Sequence, residues 1–177
     1  MGFLDFLKSD RSMENLSEIF SAAIVLSDKK NYSFPALNYA GEFELFIFNV
    51  ALGWDILLEN RKVNPTDSII EKKIIFILER AKKLQLNISN NEVYLLYQKR
   101  YSDYKHLLDS GEINKQFGRL FLLRYLYSAL YVNSLSQNID TKSPIQIIDE
   151  NEEYNKFSND FLNYYDSAYK LIKSRIK

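Results

Sequence analysis

Hydrophobic residues return every three or four positions along most of this chain, the spacing of a helix face rather than of a strand. The most apolar run is Phe34–Arg61. Ala36, Ala40, Phe43, Ile47, Val50, Trp54 and Leu57 make one line, and Leu37, Leu45, Phe48, Leu52 and Ile56 a second. Only a narrow strip of Asn38, Glu42, Asn49, Gly53 and Asn60 is polar or bare. A helix apolar around most of its circumference has neighbours on several sides, so this one is expected at the centre of the fold. Glu112–Ser136 has the same character through Phe117, Leu120, Phe121, Leu123, Leu126, Tyr127, Leu130 and Tyr131. It is expected to be the second central helix.

The remaining segments are one-faced. Phe3, Leu4, Phe6 and Leu7 form a short amphipathic segment within residues 1–11, and Ser12 is placed to cap a helix that runs to Ser27. Pro35 suits the first turn of the long apolar helix, and Asn64-Pro65-Thr66-Asp67 marks the start of the next. That next helix repeats Ile70, Ile74, Ile77, Ala81, Leu84 and Ile88, with Lys72, Lys73, Glu79, Arg80, Lys82 and Lys83 expected in solvent. Ser89-Asn90-Asn91-Glu92 reads as a capping box, and Gly111 as the stop of the helix it opens. So short a connection makes the helices on either side of it antiparallel neighbours. Residues 137–149 form the longest loop, and Glu150–Lys173 the last helix, with Tyr154, Phe157, Phe161, Tyr164, Ala168 and Leu171 on its inner face. The pattern predicts an all-α fold. It is one domain over 1–177, a bundle of about six helices, two central and apolar, wrapped by amphipathic ones.

Composition narrows this picture. The 177 residues are 46% hydrophobic, with five glycines and three prolines, which favours long helices over many short strands. Lys plus Arg equals Asp plus Glu, for a formal charge of zero. A neutral chain has no general pull toward nucleic acid or anionic lipid. There is no cysteine, which removes disulfides and thiolate chemistry and fits a reducing, cytoplasmic setting. The N-terminus lacks the basic start and apolar run of a secretory signal. Phe43–Leu58 is short for a membrane span, and Phe117–Leu135 carries Arg119 and Arg124.

Two constellations carry candidate chemistry. Tyr94, Tyr97, Tyr101 and Tyr104 lie on one helix stripe beside Arg100. Tyrosine offers an apolar ring with a hydrogen-bonding tip, as suited to a partner interface as to the margin of a core. Arg124 lies among apolar residues of a central helix and needs an acidic partner, for which Glu42, Glu44 and Asp55 are the candidates. With Trp54, these residues would form a buried polar network that locks the two central helices, or a pocket for an anionic ligand.

No catalytic residue, metal site or cofactor is announced. Asp103-x-x-His106 is half of a metal pair, but His106 is the single histidine. Asp55 and Glu59 stand one turn apart and read as a charged helix end. The five glycines build no phosphate loop.

The leading expectation is therefore a non-enzymatic intracellular helical protein. It would act by protein–protein binding or self-association through the aromatic face of Tyr94, Tyr97, Arg100, Tyr101 and Tyr104. One alternative is a peripheral membrane protein held by Phe3, Leu4, Phe6 and Leu7. Another is a bundle that binds a small anion near Trp54, Asp55, Glu42 and Arg124. No particular protein partner is singled out, and nucleic acid is disfavoured.

Overall fold

The computed structural model of the chain describes residues 3–28, 38–110, 122–130 and 152–176. Among the described residues there are six helices and no strand. They are α1 (Phe3–Ser27), α2 (Tyr39–Glu59), α3 (Asp67–Lys83), α4 (Asn90–Ser110), α5 (122–130) and α6 (Glu152–Arg175). The all-helical bundle expected from periodicity is what forms.

α2 is its axis. Every residue from Ala40 to Trp54 is buried, as are Ile56 and Leu57, and α1, α3, α4 and α6 all pack on it. Of α5, residues 122–130 are buried apart from half-buried Arg124. One apolar cluster draws on all six helices, from Leu16 and Ile19 of α1 to Phe161 and Ile172 of α6. Its aromatic rings meet edge-on, tilted or stacked; Phe48 of α2, for one, meets Tyr104 of α4 edge-on and Phe161 of α6 at a tilt. Such pairs add about 0.5–1.5 kcal/mol beyond the burial of their area.

Polar side chains set the registry of this core. Asn49 of α2 donates to the Leu45 carbonyl and to the Tyr164 hydroxyl of α6, which in turn donates to the Leu26 carbonyl of α1. Three helices are thus joined through one buried amide.

Several boundaries differ from the sequence expectation. α1 is continuous from Phe3 to Ser27. Ser12 lies inside it, and its Oγ accepts from the Asn64 amide instead of capping a helix start. No proline or glycine separates Lys8 from Met13, so nothing in the backbone stops the helix there. α2 is capped by Asn38, whose side chain accepts from the Gly41 amide. Phe34–Leu37 and the 137–149 loop lie outside the described residues, as do Phe117, Leu120, Phe121 and Tyr131. α3 is capped at Thr66, not Asn64, and ends at Lys83. The Ser89–Glu92 capping box forms as expected, each residue's amide bonding the other's side chain.

α2 and α3 close in the same way. The Arg61 amide bonds the Leu58 carbonyl and the Lys62 amide the Leu57 carbonyl, with Arg61 at φ 53°. The Gln85 amide bonds the Lys82 carbonyl and the Leu86 amide the Ala81 carbonyl, with Gln85 at φ 54°. This is the Schellman arrangement, in which the left-handed position usually belongs to glycine. Among the described residues no helix is long and apolar enough to cross a membrane.

Candidate functional site

Glu42, Asp55 and Trp54 each take a different partner. Glu42 makes an ion pair with Arg80 of α3. Asp55 accepts from the Tyr101 hydroxyl at 2.8 Å. Trp54 is buried, with the Lys73 ammonium 3.9 Å from its ring centroid. Arg124 is half-buried on α5. The cation inside the core is Arg100 of α4. Its Nε donates to both oxygens of Glu44 at 3.0 Å, and its Nη2 donates to Oε1 at 2.8 Å.

That pair is extended outward. Arg100 Nη1 donates to the Tyr125 hydroxyl at 3.4 Å, Tyr125 donates to Asp103, and Asp103 pairs with Lys99 at the surface. Burial works against the Arg100 charge, but the Glu44 carboxylate outweighs it and pushes the guanidinium pKa upward. A charge lock on α2 was expected. Its partner helix is α4 because Arg100 falls on the line of Val93, Leu96, Tyr97 and Tyr104, all buried.

The same burial corrects the reading of the aromatic stripe as a partner-binding face. Tyr97, Arg100 and Tyr104 are buried, Tyr101 is half-buried, and of the five only Tyr94, 40% exposed, stands in solvent. The rings are used inside. Tyr104 meets Phe48 and Tyr125 edge-on, and Tyr97 stacks on Tyr101. Burial raises the Tyr97 and Tyr104 hydroxyls well above the ordinary tyrosine range.

Lys73 is a second departure. It was assigned to the solvent face of α3 and is 5% exposed. Its ammonium lies 5.0 Å from the Tyr97 ring centroid and 5.7 Å from that of Tyr101, in addition to Trp54. Three ring faces stand where water would otherwise hydrate the cation. Burial brings its pKa down to about 8, and the Asp55 charge works the other way.

A site that sequence reasoning missed lies where the α2–α3 connection crosses α1. A concavity of about 440 Å³ is lined by Arg11, Ser12, Asn60, Arg61, Lys62, Val63 and Asn64. Among the described residues its lining holds three cations and no carboxylate. Among the described residues none of the three cations is in an ion pair. Arg61 and Lys62 also stand at the carbonyl end of α2, where cations offset the helix dipole. Arg11 lies inside α1 and has no such role.

The concavity is held in shape from below. Asn15 of α1 donates to the Lys62 carbonyl at 3.1 Å, and the Asn64 amide donates to Ser12 Oγ at 3.3 Å. Ser12 is 4% exposed, and its hydroxyl hydrogen has no acceptor among the described residues. The one sequence sign of this site is the Arg61-Lys62 pair after a helix end. Its meeting with Arg11 is a product of tertiary packing.

The other expected chemistry is not assembled. His106 is exposed, and among the described residues no three His, Cys, Asp or Glu side chains group as metal ligands. The side chains of Phe3, Leu4, Phe6 and Leu7 lie outside the described residues.

No protein-family model matches this chain, and neither a curated protein nor a solved structure matches it.

Proposed function

We propose that this protein binds an anionic ligand in the concavity between α1 and the α2–α3 connection. The observation that carries the reading is the lining itself: Arg11, Arg61 and Lys62 with no carboxylate among them, around a space of about 440 Å³. That volume falls in the usual range of small-molecule sites. Like charges gathered on one small wall repel one another, and an anion relieves that repulsion. The floor is fixed by the Asn15 and Ser12 hydrogen bonds, so its backbone loses little freedom on binding.

The role is binding rather than bond-making. Among the described residues the lining has no carboxylate or imidazole to move a proton, and guanidinium groups stay charged at any physiological pH. This reading takes the place of a protein interface on the aromatic stripe, whose rings are spent in the core.

Amide chemical shifts recorded during titration with inorganic phosphate, sulfate and citrate test it. The expected result is a saturable change confined to residues 11–12 and 60–64, abolished in the Arg11→Ser/Lys62→Ser double variant. Shifts scattered over the surface, or none at millimolar anion, would overturn the reading.

A further inference from the structure

We propose that the anion bound in this concavity is the phosphate of a phosphorylated polyol, held by Arg11, Arg61 and Lys62 while its hydroxyl groups meet Asn60, Asn64 and Ser12. This inference rests on the anion-binding reading and adds the class of ligand.

Charge comes first. A phosphate monoester carries close to two negative charges at neutral pH, and three cations line the space. Guanidinium groups match two phosphate oxygens at once, while an ammonium adds charge without a fixed geometry. Two arginines and one lysine therefore suit a tetrahedral group with three free oxygens.

Size comes second. The space is about 440 Å³, and one water takes roughly 30 Å³. A bare inorganic anion would leave most of it filled with solvent. The ligand has a body as well as a charge.

The neutral lining describes that body. Asn60 Nδ2 donates one of its two hydrogens to the Ile56 carbonyl at 2.7 Å, which leaves Oδ1 and the second N–H to meet a ligand. An amide oxygen repels an anion and accepts from a hydroxyl. Ser12, nearly closed off from solvent, keeps an O–H to give. Acceptor and donor beside three cations fit alternating hydroxyls next to a phosphate. Val63 is the single apolar residue named in the lining, so the carbon skeleton of a polyol would rest on it and on the methylene stems of the three cations.

Arg61 offers a way to test the site. It occupies a left-handed position at φ 53°, where glycine is the relaxed choice. Gln85 shows that the same closure accepts another residue. The side chain of Arg61 is therefore separable from the turn that carries it. Arg61→Gly should make the fold more stable and the site weaker, a pair of opposite effects that a purely structural arginine would not give.

The experiment measures inositol monophosphate, inorganic phosphate and sulfate by calorimetric titration of the full chain, with Arg61→Gly and Lys62→Ser as variants. The expected result is an ester affinity at least about tenfold above that of either inorganic ion, reduced about tenfold in each variant, with Arg61→Gly melting higher than the parent. Equal affinity for ester and inorganic ions overturns the polyol and leaves the anion site standing. No binding of any of the three overturns both.

A parallel arm uses phosphatidylcholine vesicles with and without a phosphoinositide. Pelleting only with the phosphoinositide, reversed by inositol monophosphate, supports the proposal with a membrane headgroup as the source. Binding of the soluble ester with no pelleting supports it with a free metabolite. Pelleting that the ester does not reverse, where the ester itself fails to bind, counts against the site.

Discussion

Lys73 shows how a single side chain can depart from what its neighbours in sequence announce. It stands in a run of charged residues, yet it lies on the same stripe as Ile69, Ile77 and Ala81, all buried. Its folded pKa is about 8, against an ordinary 10.5. Between those values the unfolded chain holds a proton that the folded one has released. Raising the pH through that window therefore favours the folded state, and below about pH 8 the penalty of burying the charge is fully present. Denaturant melts should show stability rising from pH 8 toward 10.5, by at most about 1.4 kcal/mol per pH unit, and Lys73→Met should flatten that rise. Near pH 10 the gain is overtaken and the trend reverses, because Tyr97, Tyr104 and Tyr125 all have pKa values raised above the ordinary 10.0 that they keep in the unfolded chain.

Arg100 obeys the opposite logic, since its charge is matched. Glu44→Ala would leave a buried guanidinium facing empty space and should cost about 3–5 kcal/mol, whereas Glu44→Leu with Arg100→Met should cost much less than the two single changes summed. Urea melts of Glu44→Ala, of Glu44→Leu and Arg100→Met singly, and of their double variant decide it. By sequence Arg100 reads as part of an exposed face, although Val93 and Leu96, both buried, fix which side of α4 faces inward. A charged residue on that line reads as surface only when its partner on another helix is out of view.

Among the elements, α1 and α2 come close together at Gly53. A Cβ built there would lie 2.7 Å from Ile19 Cγ2 and 3.0 Å from Cγ1. Ile19 is buried and branched at Cβ, so it has little room to turn aside. Gly53→Ala is expected to cost about 1–3 kcal/mol despite the better helix propensity of alanine. Combining it with Ile19→Ala should cost less than the sum, which thermal melts of the double variant would show.

The helices themselves were readable because periodicity and caps are local. The Ser89–Glu92 box lies in four consecutive residues. The closures at Arg61 and Gln85 were not readable, because neither position carries the glycine that signals such a turn. The docking of the α2–α3 connection on α1 through Asn64 and Ser12 depends on a contact 52 residues apart in sequence, and no local pattern contains it.

For the molecule as a whole, equal numbers of cations and acids conceal an uneven arrangement. Acids are consumed by Arg80, Arg100 and Lys99 within the bundle, while Arg11, Arg61 and Lys62 meet on one wall. A sum over the chain cannot show this, since the wall exists only after α1 and the α2–α3 connection have come together. The turn between α3 and α4 stands apart from such long-range dependence. Gln85 closes one helix and Ser89 opens the next, each through bonds to residues no more than five positions away. That hairpin costs little loop entropy to form, so its order can precede the rest. Stopped-flow measurements should then find that Ser89→Ala, a loss of about 1 kcal/mol, mainly slows refolding, while Tyr164→Phe, which cuts the tie from α6 to α2 and α1, mainly hastens unfolding. The chain would carry its own starting point for assembly in a handful of adjacent residues, and its last-made joint at the far end.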